Sequence, residues 1–359
     1  MAELEKLMRD LSEADGVPGF EKEVRAKMAG YLTPLSDEIV KDRLGSILGK
    51  KTGDANGPRV LVAGHMDEVG FMVTSITKGG FLRFQTLGGW FSPVMQAHRV
   101  KVKTRKGDYI GLIGGVKPPH LLTPAEREKV LPIQEMFIDI GAASKEEAEE
   151  MGVRPGDPIV PVAEFLTMRG GDLWAGKALD NRAGCALSID VLKRLQGQAH
   201  PNTVYAGATV QEEIGLRGAT TVANLVQPDI AFAVDVGLAV DTPGFEPDRV
   251  TNHIGDGPLL FIFDATMVPH VGLRDLVLDT AEELGIPVQY ESLPGGGTDA
   301  GRFHINGIGC PSMVIGFATR YIHTHTAVMA RRDFELASQL LAAVIQKLDA
   351  KTVEGLFEA

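Results

Sequence analysis

The chain has 359 residues, enough for two domains, with 44% hydrophobic residues and a mean hydropathy of +0.03, as in water-soluble globular proteins. Its net charge of −11 and pI of about 5.4 argue against a general nucleic-acid role. Two cysteines, Cys185 and Cys310, form no CxxC pair and read as buried free thiols in a reducing cytoplasm.

The N-terminal segment has no signal-peptide pattern. Leu4, Leu7, Met8 and Leu11 recur at helical spacing, which predicts an amphipathic core helix. No stretch approaches the roughly 20 apolar residues of a membrane span. Residues 15–20 read as a capping turn into a second helix. The apolar run 60–64 is a short strand that delivers His65 and, two residues on, Asp67. Residues two apart on an extended segment share a face, so His65 can bind a metal while Asp67 accepts its other ring N–H. Glu68 is either an acid behind the site or a solvated strand end.

The character then changes. Residues 80–85, 99–104, 109–113 and 135–140 read as short strands, and 144–151 as a short helix with a solvated face. His98 is either an ordinary strand histidine or one aimed at a neighbouring subunit. His65 and Asp180 lie too far apart for one βα unit. We therefore read 71–166 as a small β-rich domain inserted into a catalytic domain formed by 1–70 and 167–359. Outside the insert, strands alternate with helices at 181–196, 273–284 and 333–347. That alternation predicts an α/β fold with a mixed central sheet flanked by helices.

Within this frame the chemistry sits at strand ends. Asp180 opens a helix. Glu212 and Glu213 follow an apolar, β-branched strand. Two neighbouring buried carboxylates repel, so a cation or a shared proton must hold them; the alternative is a solvated pair at a helix start. Asp235 closes another apolar strand, and His323 follows the strand 311–317, with His325 two residues on as a spare ligand or a group outside the ligand set. In open α/β sheets, ligands bind at the carboxyl ends of the strands. The glycine-rich run 295–301 lacks the ending of a phosphate loop and reads as a mobile loop lining a cleft, with Thr298 and Asp299 near the substrate. Ser188 and Ser312 lack a nucleophile-elbow pattern. The set His65, Asp180, Glu213, Asp235 and His323 mixes imidazole and carboxylate without thiolate, which suits two first-row divalent ions, Zn or Co, with one carboxylate bridging them.

The segments 64–70, 179–185, 211–218, 235–237, 296–301 and 321–323 together resemble the tetrahedral aminopeptidases, family 42 of the metallopeptidases. The resemblance implies a zinc-exopeptidase-like catalytic domain with an inserted β-barrel-like domain that assembles dimers into a tetrahedral dodecamer. It implies that Asp180 bridges two metals, His65 and Asp235 completing one site and Glu213 and His323 the other. Glu212 would be the general base that takes a proton from the bridging water to leave a metal-bridging hydroxide, Asp67 would orient His65, and the Asp180–Asn181 peptide would be cis. The implied activity is removal of N-terminal residues from short peptides, with no nucleic-acid or membrane partner. Alternatives are a deacylase or carboxypeptidase with the same metal core, or a non-catalytic scaffold. The preferred N-terminal side chain is open: an acidic preference needs a Lys or Arg in the pocket, with Arg302 and Arg320 as candidates, and an aliphatic one fits the apolar run 314–317.

Overall fold

The computed structural model describes residues 2–245 and 252–358. The strands are β1 (Glu38–Lys41), β2 (Ile47–Thr52) and β3 (Arg59–His65), then β4 (Gly70–Ile76), β5 (Leu82–Leu87), β6 (Arg99–Lys103), β7 (Asp108–Gly114), β8 (Phe137–Asp139) and β9 (Pro158–Pro161). They continue with β10 (Leu166–Met168), β11 (Leu173–Gly176), β12 (Thr203–Thr209), β13 (Ile230–Leu238), β14 (Leu259–Asp264), β15 (Gln289–Leu293), β16 (Ser312–Arg320) and β17 (Ala327–Ala330). Strands β4 to β9 close into an antiparallel barrel in the order β4-β5-β8-β7-β6-β9, and the other described strands form one 11-stranded sheet.

The sheet is mixed. Its middle, β12-β3-β13-β16, is parallel; β2 and β17 continue it antiparallel on either side. Parallel strands buried on both faces read as continuous apolar runs, and β3, β13 and β16 do so. Alternate side chains divide between the faces. Val60 and Val62 of β3 enter a large core with the helices Ala2–Ser12, Leu179–Arg194 and Arg331–Lys347, while Leu61 and Ala63 enter a smaller core beneath the helix Arg217–Val226. A third apolar cluster fills the barrel, around Phe71, Val100, Ile113 and Ile138.

The N-terminal helix runs from Ala2 to Ser12 and buries Leu7, Met8 and Leu11, as its spacing predicts. The turn after it is not a cap. Asp15 instead receives the ammonium groups of Lys101 and Lys103 from barrel strand β6, at 2.8 and 2.7 Å, with Lys177 of the sheet domain 3.5 Å away. This carboxylate thus ties barrel to sheet. Cys185 and Cys310 are buried free thiols. Among the described residues no helix is long and apolar enough to cross a membrane.

Candidate active site

Register sets the site. Thr209 of β12 pairs with His65 of β3, and Ala233 of β13 with Ala63, so Asp235 and His65 come two residues further along adjacent strands. The helix Leu179–Arg194 starts directly above this edge. Its approach is close because two glycines face each other: a Cβ at Gly64 would lie 2.5 Å from the backbone of Gly184. Asn181 fixes that first turn, donating to Val234 O at 2.7 Å and accepting from Gly184 N. The Asp180–Asn181 peptide is cis.

The imidazoles and acids expected from sequence converge. His65 Nε2 lies 3.3 Å from Asp180 Oδ1, 3.7 Å from Glu212 Oε2 and 4.0 Å from Asp235 Oδ1. His323 Nε2 lies 3.4 Å from Asp180 Oδ2 and 3.5 Å from Glu213 Oε2. Asp180 therefore presents one oxygen to each imidazole. Backbone strain concentrates here: Ala178, Gln211, Leu216, Tyr321 and His323 are non-glycine residues with φ between 54° and 60°.

Charge explains what this cluster needs. Burial and the neighbouring Asp180 push Glu213 up to about 8. Burial also drives Glu212 and Asp235 well above the carboxylate range, against the pull of His65. Asp180 goes the other way; the hydrogen bonds of His323 and His65 overcome its burial. Both imidazoles are held above their ordinary range despite burial, His65 by Glu212 and Asp180, and His323 by Asp180 and Glu213, up to about 10. Three acids and two imidazoles all drawn towards extra protons mark a cluster short of positive charge. Divalent cations would supply it. The groups His65, Asp180 and Glu213, and His65, Glu212 and Asp235, each bring ligand atoms within 4.8 Å of one another. Bonds of about 2.0–2.2 Å give a tetrahedral edge of roughly 3.4 Å, so the observed spacings fit such ions.

Asp67 departs from the expectation. Its carboxylate is 3.7 Å from His65 Nδ1, and the Asp67 backbone carbonyl, at 2.9 Å, takes that ring nitrogen instead. Strand β3 ends at His65, so the two-residue alternation does not carry on to residue 67. The carboxylate turns to the glutamate pair, accepting from Glu212 N and Glu213 N at 3.0 Å each. Glu21, which sequence reasoning missed, accepts from Gln211 N at 3.1 Å. Three successive N–H groups thus point into two carboxylates, which fixes the left-handed turn that presents Glu212 and Glu213.

Glu68 is no solvated strand end; it is buried against Lys177 at 2.6 Å and Arg182 at 3.4 Å. Arg182, fully buried, also donates to the carbonyls of Met66, Leu11 and Ala14, which pins the chain between His65 and Asp67 to the N-terminal helix. An arginine directly before the small and apolar run 183–187 was the signal for this knot. His325 is not in solvent. It is buried, stacks on His98 with ring centroids 3.9 Å apart, and neither ring nitrogen finds a partner among the described residues. Burial, reinforced by His98, keeps it neutral, with its pKa down to about 3. His98 lies just before β6 and is exposed. Asp299 is buried and hydrogen-bonded to Thr209, while Thr298 lines a cleft of about 540 Å³ beside the cluster.

The family model described as M42 glutamyl aminopeptidase matches residues 45–340, and one described as AMPT matches 3–28. The glutamyl aminopeptidase of Lactococcus lactis is 37% identical over 353 residues, 98% of each chain. The crystal structure of a TET aminopeptidase from a marine-sediment archaeon of the Thaumarchaeota is 48% identical, with a TM-score of 0.96 over 99% of both chains. The TET1 peptidase of Pyrococcus horikoshii, which can assemble into a tetrahedron or a large octahedral shell, is 30% identical, with a TM-score of 0.85 over 96% of this chain and 100% of that one. Match length, identity and architecture agree with the converged imidazoles and acids: the chain belongs to the M42 family of aminopeptidases and is a peptide hydrolase.

Proposed function

We propose that the chain removes N-terminal residues from short peptides with two divalent cations, Zn or Co, held by His65, Asp180, Glu213, Asp235 and His323. The observation that carries this reading is the double approach of Asp180, Oδ1 to His65 and Oδ2 to His323, at 3.3 and 3.4 Å. That is the disposition of a bridging carboxylate, with Asp235 closing one half and Glu213 the other. When bound, the ions would acidify a water shared between them and polarise the scissile carbonyl.

The protein supplies the proton transfers and the alignment. Glu212 lies inside the cluster, 3.7 Å from His65. Its burial raises its proton affinity, which suits a group that accepts a proton and returns it to the leaving amine. Asp67 accepts from its backbone N–H, and Glu21 from that of the preceding Gln211. The carboxylates around it give a free α-amine its partner, which confines cutting to the first residue. We assign 1–70 and 167–359 to catalysis and the barrel region 71–166 to assembly of a homo-oligomer, a dimer built into a tetrahedral dodecamer; the assembly of the Pyrococcus horikoshii relative supports this reading. Two buried free thiols fit a reducing cytoplasm.

The test is Glu212→Gln with an N-acetylated control. The variant should keep its cations, by metal analysis, and lose turnover by roughly 10²- to 10⁴-fold. The acetylated peptide should not be cut by the parent. Equal turnover by the variant would remove Glu212 from the mechanism, and cleavage of the acetylated peptide would favour a deacylase.

A further inference from the structure

The cleft beside the cluster holds a charge that the mechanism does not use. Apart from the six histidine and acid residues of the cluster, its lining is neutral except for Arg302. Arg302 is exposed, and its guanidinium makes no hydrogen bond or ion pair among the described residues. The other arginine considered from sequence, Arg320, is already taken: its Nε and Nη2 reach Asp241 at 2.6 and 2.5 Å.

The position of Arg302 is built. It rides on the short helix Ala300–Phe303, whose Ala300 and Phe303 are buried in the core shared with Ala219, Val222 and Ala223. Gly301 presses on Thr266, where a Cβ would meet Oγ1 at 2.1 Å. With that face of the turn pinned, Arg302 is the residue left at the cleft. Beside it, Gly295, Gly296 and Gly297 line the cleft without side chains and leave room for a group to reach the guanidinium. An arginine fork matches a carboxylate in geometry as well as charge.

We propose that Arg302 recognises a carboxylate of the substrate, from either an acidic N-terminal side chain or the C-terminus of a very short peptide. This rests on the aminopeptidase reading and names the substrate class for that cleft. Arg302→Met and Arg302→Glu are compared with the parent on four substrates: glutamyl anilide, with a side-chain carboxylate only; Leu-Gly, with a C-terminal carboxylate only; and leucyl anilide and Leu-Gly amide, with neither. Recognition of the side chain lowers kcat/KM for glutamyl anilide by roughly 10- to 100-fold in Arg302→Met, with leucyl anilide within about threefold, the range for a lost hydrogen bond to a charged group. Arg302→Glu, assayed in addition on lysyl anilide, then shifts preference towards that fifth substrate. Recognition of the C-terminus produces the same loss on Leu-Gly relative to its amide. Equal effects on all four substrates, or none, overturn the proposal and leave the aminopeptidase reading standing. No turnover of any substrate by the cation-loaded parent overturns both.

Discussion

The two halves of the candidate metal cluster are built differently. The His65–Asp235 half belongs to the sheet alone: adjacent parallel strands carry both residues, and the His65 side chain is 2% exposed. The His323–Glu213 half is open, with the His323 side chain 37% exposed, and it leans on the barrel. Gly89, just past β5, accepts at its carbonyl from His323 Nδ1 at 2.8 Å. Gly88, at φ +82°, is so close to Glu213 that a Cβ there would lie 3.0 Å from Oε2. One half is thus fixed by the central sheet, and the other by a loop of the barrel region. Anything that shifts the barrel should be felt first at His323 and Glu213.

The largest expected effect comes from breaking the link between the halves. Asp180→Ala removes the oxygen from each, so both cations and roughly 10³-fold or more of the activity should be lost. His323→Ala should lose one cation and keep the other. Equal cation content in these two variants would mean that the halves do not share Asp180. A smaller effect should follow Gly88→Val, which adds a branched side chain at a left-handed position and presses on Val69 and Glu213. Activity should fall by about tenfold and recover with excess cation, whereas a loss that excess cation cannot restore would place the damage elsewhere.

The smallest effect concerns the tie between the regions. Burial would raise Asp15, but Lys177 and the hydrogen bonds of Lys101 and Lys103 outweigh it and bring it from 3.8 to about 2. Because the folded pKa lies below the unfolded one, the stabilisation is complete above the unfolded value and is lost as pH falls through the folded one. Asp15→Asn should therefore cost about 2 kcal/mol at pH 7, and the gap in Tm should narrow between about pH 4 and pH 2. A gap that stays constant with pH would deny Asp15 this role.

Much of the site was legible because each candidate ligand follows an apolar run or sits at the start of a helix, even where the strand itself continues, as β13 does past Asp235 to Leu238. His65, Asp180, Glu213, Asp235 and His323 carry that local signal. The side chains around them do not. Asp67 shares a motif with His65, yet its carboxylate is directed by the N–H groups of residues 212 and 213, far off in sequence. Glu21, Arg182 and the Glu68–Lys177 pair depend likewise on long-range packing. The helix at 144–151 reads correctly because Ser144 caps it locally, with the Glu147 N–H as partner. The tie between Asp15 and β6 has no local signature, since the lysines of 99–104 look like solvated strand residues until the barrel brings them against the sheet.

The most direct test is to count the cations taken up by metal-stripped protein as Zn or Co is returned, while following release of the N-terminal residue from a peptide. Two ions per chain are expected, the enclosed His65 half filling first, with hydrolysis appearing as the open half fills. Full hydrolysis by the stripped protein, with no ion bound, would contradict the central claim.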